Sequence, residues 1–179
     1  LGTTIGVTLD TWSVPTASTG NVASAEEKLF TAAKKETKLL NNLGQHLSRV
    51  AQKITPSVVH IQSTQENESR QIVEETGSGV IVRNANVSGT YIITNWHVID
   101  GAKRNSISIR LHDGRVLHPV RIWSDHATDI AVLKVSESDL SAAEWGNSDN
   151  SKIGHMVLAM GSPFGLSQSM TFGIISAKG

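Results

Sequence analysis

A mostly β fold, built as an antiparallel barrel or sandwich behind one N-terminal amphipathic α-helix, is the fold class this sequence predicts. Two observations carry it. From Val58 onward, short β-rich runs are separated by Gly-, Asn- and Asp-rich turns with no helical period between them, which speaks against a parallel sheet with crossover helices. Ahead of Pro56 the apolar period is helical instead.

Taken in order, residues 1–24 are rich in Thr, Ser, Gly and Ala and show no sustained period, so a flexible arm or linker is expected, with Trp12 and Val14 its only anchors. The helix is expected over 25–55. Ser24 offers an N-cap, and Glu26 and Glu27 place negative charge in the first turn, where it complements the helix dipole. Leu40, Leu43, Leu47, Val50 and Ile54 recur at spacings of three and four and so share one face. That face either packs on the chain's own domain or forms an oligomer contact. Pro56 stops the helix by forcing Thr55 toward extended geometry.

The strand runs follow at Val58–Gln62, Gly79–Val82, Tyr91–Thr94, Ile107–Leu111, Val116–Val120 and Ile130–Val135. Asn84 to Gly89, Asp100-Gly101 and Asp113-Gly114 supply the turns, and His112 to Arg115 is the clearest hairpin. The strands over 56–136 would make one barrel and 137–152 a polar connection. Strand character returns in 153–179, at His155–Met160 and Thr171–Ser176.

Composition removes several function classes. Sixteen Lys+Arg balance sixteen Asp+Glu, so no basic surplus exists to hold a nucleic acid. With no cysteine, disulfides, thiolate metal sites and a Cys nucleophile are all excluded. No run approaches the roughly 18 apolar residues of a spanning helix. The chain opens on Leu1 and not on Met, so removal of an N-terminal part is expected, a signal peptide or anchor being one form it could take. Seven histidines invite a metal hypothesis, but His112, His118 and His126 lack the i, i+4 spacing of a helical zinc site, and no metal or cofactor is expected. His60, His112, His118 and His155 read as ordinary strand or loop residues.

His97 is different. It follows the hydrophobic strand Tyr91–Thr94 and precedes the apolar turn Val98-Ile99-Asp100-Gly101, so packed neighbours on both sides would keep one rotamer, as a general base needs. Asp129 stands at the mouth of the buried-looking run Ile130–Leu133, where an acid is costly unless paired, and an imidazole N–H is the expected partner. Asp125 competes from a polar turn farther from the strand. His first, and Asp 32 residues later, each flanked by a strand, is the order of the two-barrel serine proteases.

Thr94-Asn95-Trp96-His97-Val98-Ile99 resembles the histidine motif of trypsin-like proteases, and the Val after His97 is similar to the HtrA (Deg) branch. Thr128-Asp129-Ile130-Ala131-Val132-Leu133-Lys134-Val135 resembles that branch's aspartate motif, and Gly77-Ser78-Gly79-Val80-Ile81-Val82 its early glycine-led strand. Ala159 to Leu166, followed by Phe172 to Ala177, is similar to the strand-turn-strand opening its second barrel. With Ile54 to Val59 at the start, these blocks cover 54–179 almost continuously in family order.

The resemblance implies a chymotrypsin/trypsin-like antiparallel β-barrel, the first barrel plus the opening strands of the second. It implies His97 as general base and Asp129 as its orienting acid. The nucleophilic Ser and the oxyanion hole would lie beyond residue 179, since no Gly-x-Ser-Gly-Gly occurs and Ser162 and Ser176 fall in non-catalytic blocks. A serine endopeptidase acting on misfolded or unfolded proteins is implied for the parent. The 179 residues alone are expected to be inactive, with a non-catalytic binding or scaffold module as the alternative. The expected partners are unfolded polypeptides, further copies in a trimer, and the remainder of the second barrel, in a periplasmic or other extracytoplasmic space. Trp96 would either pack on the barrel or shade the cleft.

Overall fold

The structure, a computed structural model, describes residues 19–66, 70–162 and 169–178. Most of the expected arm, including Trp12 and Val14, lies outside these residues, as does the turn Pro163–Leu166 expected between the last two strands. The chain divides into two units, Leu1–His46 and Leu47–Gly179. Helix α1 (Thr19–Ile54) starts earlier than Ser24 predicts. Ser24 is an interior residue, because Ala23 and Ala25 continue the helix at little cost and interior Ser loses only a few tenths of a kcal/mol against Ala. In the first unit Leu29, Phe30, Leu39 and Leu40 are exposed.

In the second unit, β1 (Val58–Glu66), β2 (Ile72–Asn84), β3 (Val87–Asn95), β4 (Ile107–Arg110), β5 (Val116–Leu117), β6 (Arg121–Asp125) and β7 (Ile130–Val135) form one antiparallel sheet in the order β5-β4-β1-β2-β3-β7-β6. The two strands at the ends of that order, β5 and β6, are neighbours in the chain with only His118, Pro119 and Val120 between them. One bent run therefore pairs with β4 at its start and β7 at its end, and the sheet curls round on itself. Pro119 suits the corner because it has no N–H to leave unpaired. His118 Nδ1 lies 2.7 Å from Ile107 O and the Val120 N–H donates to Lys134 O at 2.8 Å, tying the corner to both flanks. The sequence predicts a single strand through Val120. The structure breaks it there and adds β6, whose residues are almost all exposed and so carry no apolar alternation to read.

The core fills the inside of the curl at period two: Val59 and Ile61 from β1, Ile92 from β3, Ile107 and Ile109 from β4, Ala131 and Leu133 from β7, all with no exposed surface. β2 contributes Gly79, where a Cβ would sit 2.7 Å from both Ile61 Cδ1 and Ile92 Cγ2. Only a residue without a side chain lets three strands close at this point. The connection after β7 is pinned rather than loose: the Ala143 N–H donates to Ile81 O at 2.8 Å and Leu140 is buried against the core.

β8 (Met156–Gly161) and β9 (Ser169–Ile174) form a separate two-stranded sheet. Its Met156, Val157 and Phe172 line an apolar groove together with Leu47, Val50 and Ile54 from the end of α1. The end of β8 is gripped by the barrel. Ser162 is 6% exposed, its N–H donates to Ser78 Oγ at 2.7 Å, and its carbonyl lies 2.8 Å from His60 Nδ1. His60 and Ser78 are directly opposed in the β1–β2 register, so adjacent strands hold both polar groups of one peptide residue. His60, which reads as an ordinary strand residue in the sequence, is a buried clasp.

Candidate active site

β3 ends at Asn95, and the chain turns immediately through Trp96 and His97. That turn is fixed from both sides. Thr94, one residue before Asn95, is buried and its Oγ1 donates to Ser78 O at 2.9 Å. After His97, Val98 and Ile99 drive into the core at 3% and 6% exposure, and Ser63 Oγ donates to Val98 O at 2.6 Å. Gly77 makes this approach possible, since a Cβ there would meet Val98 Cγ2 at 2.5 Å. The turn closes at Gly101, whose φ of +67° is the left-handed geometry glycine adopts without strain.

Asp129 arrives from the neighbouring strand. Antiparallel pairing of β3 with β7 sets Asn95 opposite Ile130, one residue past Asp129. Asp129 has φ +54°, an uncommon conformation for a residue with a Cβ but one that Asp tolerates better than most. The turn before it is built locally: Asp125 Oδ1 accepts from the Ala127 N–H at 3.1 Å, Oδ2 from Thr128 Oγ1 at 2.8 Å, and the Asp129 N–H donates to His126 O at 3.3 Å. Asp125, the competing acid, therefore caps its own turn.

The two residues meet. His97 Nδ1 lies 2.8 Å from Asp129 Oδ2, and the His97 backbone N–H donates to Oδ1 of the same carboxylate at 3.0 Å. Main chain and ring thus read one carboxylate at both oxygens. The carboxylate can only accept, so Nδ1 carries the proton and Nε2 is left with its lone pair. The His97 side chain is 61% exposed, which leaves the ring open to a reactant. The His97 backbone N–H, the His97 ring and its charge, and the Asn95 amide hold the Asp129 carboxyl below its ordinary value of 3.8, against a smaller opposing effect of desolvation. Chemically, such a pair can take a proton at Nε2 and stabilise the imidazolium that results.

Two contacts were not legible from residue types. Asn95 Nδ2 donates to Asp129 Oδ2 at 3.1 Å and to Asp129 O at 3.2 Å. The only sequence signal is its place two residues before His97. The Trp96 ring meets His126 edge-on, centroids 4.2 Å apart, and the Trp96 N–H donates to Asp129 O at 3.1 Å. The half-buried Trp96 thus packs against the Asp129 turn. Among the described residues, no three His, Asp or Glu side chains are grouped as metal ligands would be.

Against known proteins, the family model for the trypsin-like peptidase domain matches residues 77–179, more than half of the chain. A probable periplasmic serine endoprotease DegP-like of Pseudomonas savastanoi pv. phaseolicola is 48% identical over 106 residues, 59% of this chain and 21% of that protein. The periplasmic pH-dependent serine endoprotease DegQ of Escherichia coli is 44% identical over 110 residues, 61% of this chain and 23% of that protein. Among solved structures, an HtrA-type protease AlgW with tripeptide superposes with a TM-score of 0.61 at 36% identity, covering 73% of this chain and 39% of that one. The chain spans about a fifth of the length of the curated relatives it matches. Fold, motif order and these matches agree: the chain belongs to the trypsin-like peptidase domain family, on its HtrA/Deg branch.

Proposed function

We propose that this chain supplies the general base, His97, and its orienting acid, Asp129, of a serine endopeptidase that cleaves unfolded or misfolded polypeptides. The observation that carries the reading is the double hold on one carboxylate, 2.8 Å from the His97 ring and 3.0 Å from its backbone N–H. In the reaction, Nε2 takes the proton of a serine hydroxyl as its oxygen attacks the scissile carbonyl, then passes that proton to the leaving amine. Asp129 keeps the ring in the Nδ1–H tautomer and stabilises its charged form without taking the proton. The 179 residues contain no Gly-x-Ser-Gly-Gly motif. The proposal therefore places the nucleophile and the oxyanion donors in sequence beyond residue 179, and the 179 residues alone cleave nothing. The relatives' printed names support a periplasmic setting. Assembly as trimers rests on the family resemblance.

A fluorophosphonate probe tests the reading. A longer form of the protein that includes the downstream sequence should be labelled at one serine past residue 179, and His97→Ala should abolish the labelling. Asp129→Asn should lower turnover of an unfolded substrate by about 10³–10⁴-fold, since it favours the wrong tautomer. Absence of labelling in the longer form would reject the protease reading in favour of a binding or scaffold module.

A further inference from the structure

Three features outside the His97–Asp129 contact itself bear on this site or border it. The Trp96–His126 ring contact orders the Asp129 turn, but it touches neither the carboxylate nor the His97 ring. The clasp of His60 and Ser78 on Ser162 fixes the end of β8, and its bonds go to neither His97 nor Asp129. The Asn95 amide, in contrast, is bonded to the acid directly.

We propose that Asn95 is a positioning residue of this site, whose one amide nitrogen spans the main chain and the carboxylate of Asp129 and so fixes the face that the carboxylate turns to His97. The inference rests on the reading of His97 and Asp129 as base and orienting acid. An amide nitrogen carries two hydrogens, so the bonds to Asp129 Oδ2 at 3.1 Å and Asp129 O at 3.2 Å form together. Both contacts counter a specific weakness. The Asp129 side chain is 41% exposed, so water competes for Oδ2, which without Asn95 would keep only the His97 ring as its partner, the His97 backbone N–H being bonded to Oδ1. The Asp129 backbone is left-handed at φ +54°, and among the described residues its carbonyl is held by the Trp96 N–H and Asn95. Asn95 therefore couples the two: when the backbone is in place, so is the carboxylate.

The placement has a simple origin. Asn95 is the last residue of β3 and faces Ile130 across the ladder, which brings its amide beside the residue that enters β7. A shorter side chain would not reach and an aspartate would set acceptor against acceptor. Asn95 is itself exposed, so its removal leaves no buried polar group behind.

The test uses the whole 179-residue chain, labelled with ¹³C and ¹⁵N, as wild type, Asn95→Ala and the near-isosteric Asn95→Asp. The Asp129 Cγ titration midpoint should rise in Asn95→Ala and rise further in Asn95→Asp, where a second carboxylate faces the first. The His97 ring nitrogens should lose the pure Nδ1–H signature and report a mixture of tautomers. Unchanged amide shifts in β1 and β2 would show that the barrel is kept. Wild-type midpoints and tautomer in both variants would overturn the proposal. No serine chemistry enters this readout, so a failure of the protease reading appears in the probe labelling and not here.

Discussion

Asp129 is bound at both carboxylate oxygens by donors that are present only in the folded chain, and this makes its ionisation a stability term with a definite sign. Its folded pKa lies below the ordinary 3.8, so the folded state is favoured by this group above that value, and the advantage disappears as pH falls through the lower folded value. Asp129→Asn should consequently show its full destabilisation near neutrality and converge on wild type in acid. Urea unfolding at pH 7 and at pH 2.5 measures this; an equal gap at both would show that the charge contributes nothing. Gly79 offers a steric counterpart. A methyl group 2.7 Å from Ile61 Cδ1 and Ile92 Cγ2 cannot be accommodated unless these packed core side chains shift, so Gly79→Ala should cost about 1–3 kcal/mol in the same assay. At this scale the sequence was informative about chemistry and silent about geometry. His97 and Asp129 stood out because their flanking runs are apolar, whereas the amide of Asn95 and the left-handed backbone of Asp129 depend on a ladder register that no single residue type reveals.

Among the elements, legibility followed burial. β3, β4 and β7 alternate buried and less buried residues, β1 opens on four buried ones rich in β-branched side chains, and each is readable as a strand, though β1 and β3 run longer than their apolar centres suggest. The outer half of β2 carries Glu74, Glu75 and Thr76, exposed and paired only through backbone to β1, so it lacked a signal. β6 lacks one for the same reason. The helix was legible in its apolar stripe and not in its start, because Ala, Ser and Asn around residue 24 permit helix without demanding it. The element with the least sequence signature is the clasp at the end of β8. Its energetics follow from burial: removing the Ser78 hydroxyl leaves the N–H of a residue 6% exposed without its acceptor. Ser78→Ala should cost roughly 1–3 kcal/mol, more than a surface Ser→Ala, and should raise the exchange rate of the Ser162 amide. An unaltered exchange rate would mean that the clasp restrains nothing.

Across the second unit, stability should be graded, and hydrogen exchange can read the gradient. β3 and β7 lie inside the sheet order with a partner on each side, and they present Ile92 and Leu133 to the core with no exposed surface. Their central amides should open only with the whole barrel. β8 and β9 pair only with each other and expose Met156 at 62%, Phe172 at 45% and Ile174 at 58%. A two-stranded sheet with an uncovered face is marginal in water, so its amides should exchange through local opening, orders of magnitude faster than those of β3 and β7. The gradient should have one exception. Ser162 sits at the end of the weak sheet but is bonded through both its N–H and its carbonyl to barrel side chains, so its amide should exchange more slowly than those of Met156 to Met160. Uniform protection from β3 through β9 would show that the hairpin and the barrel unfold as one body. A Ser162 amide as fast as its neighbours would show that opening of β8 runs straight through the clasp.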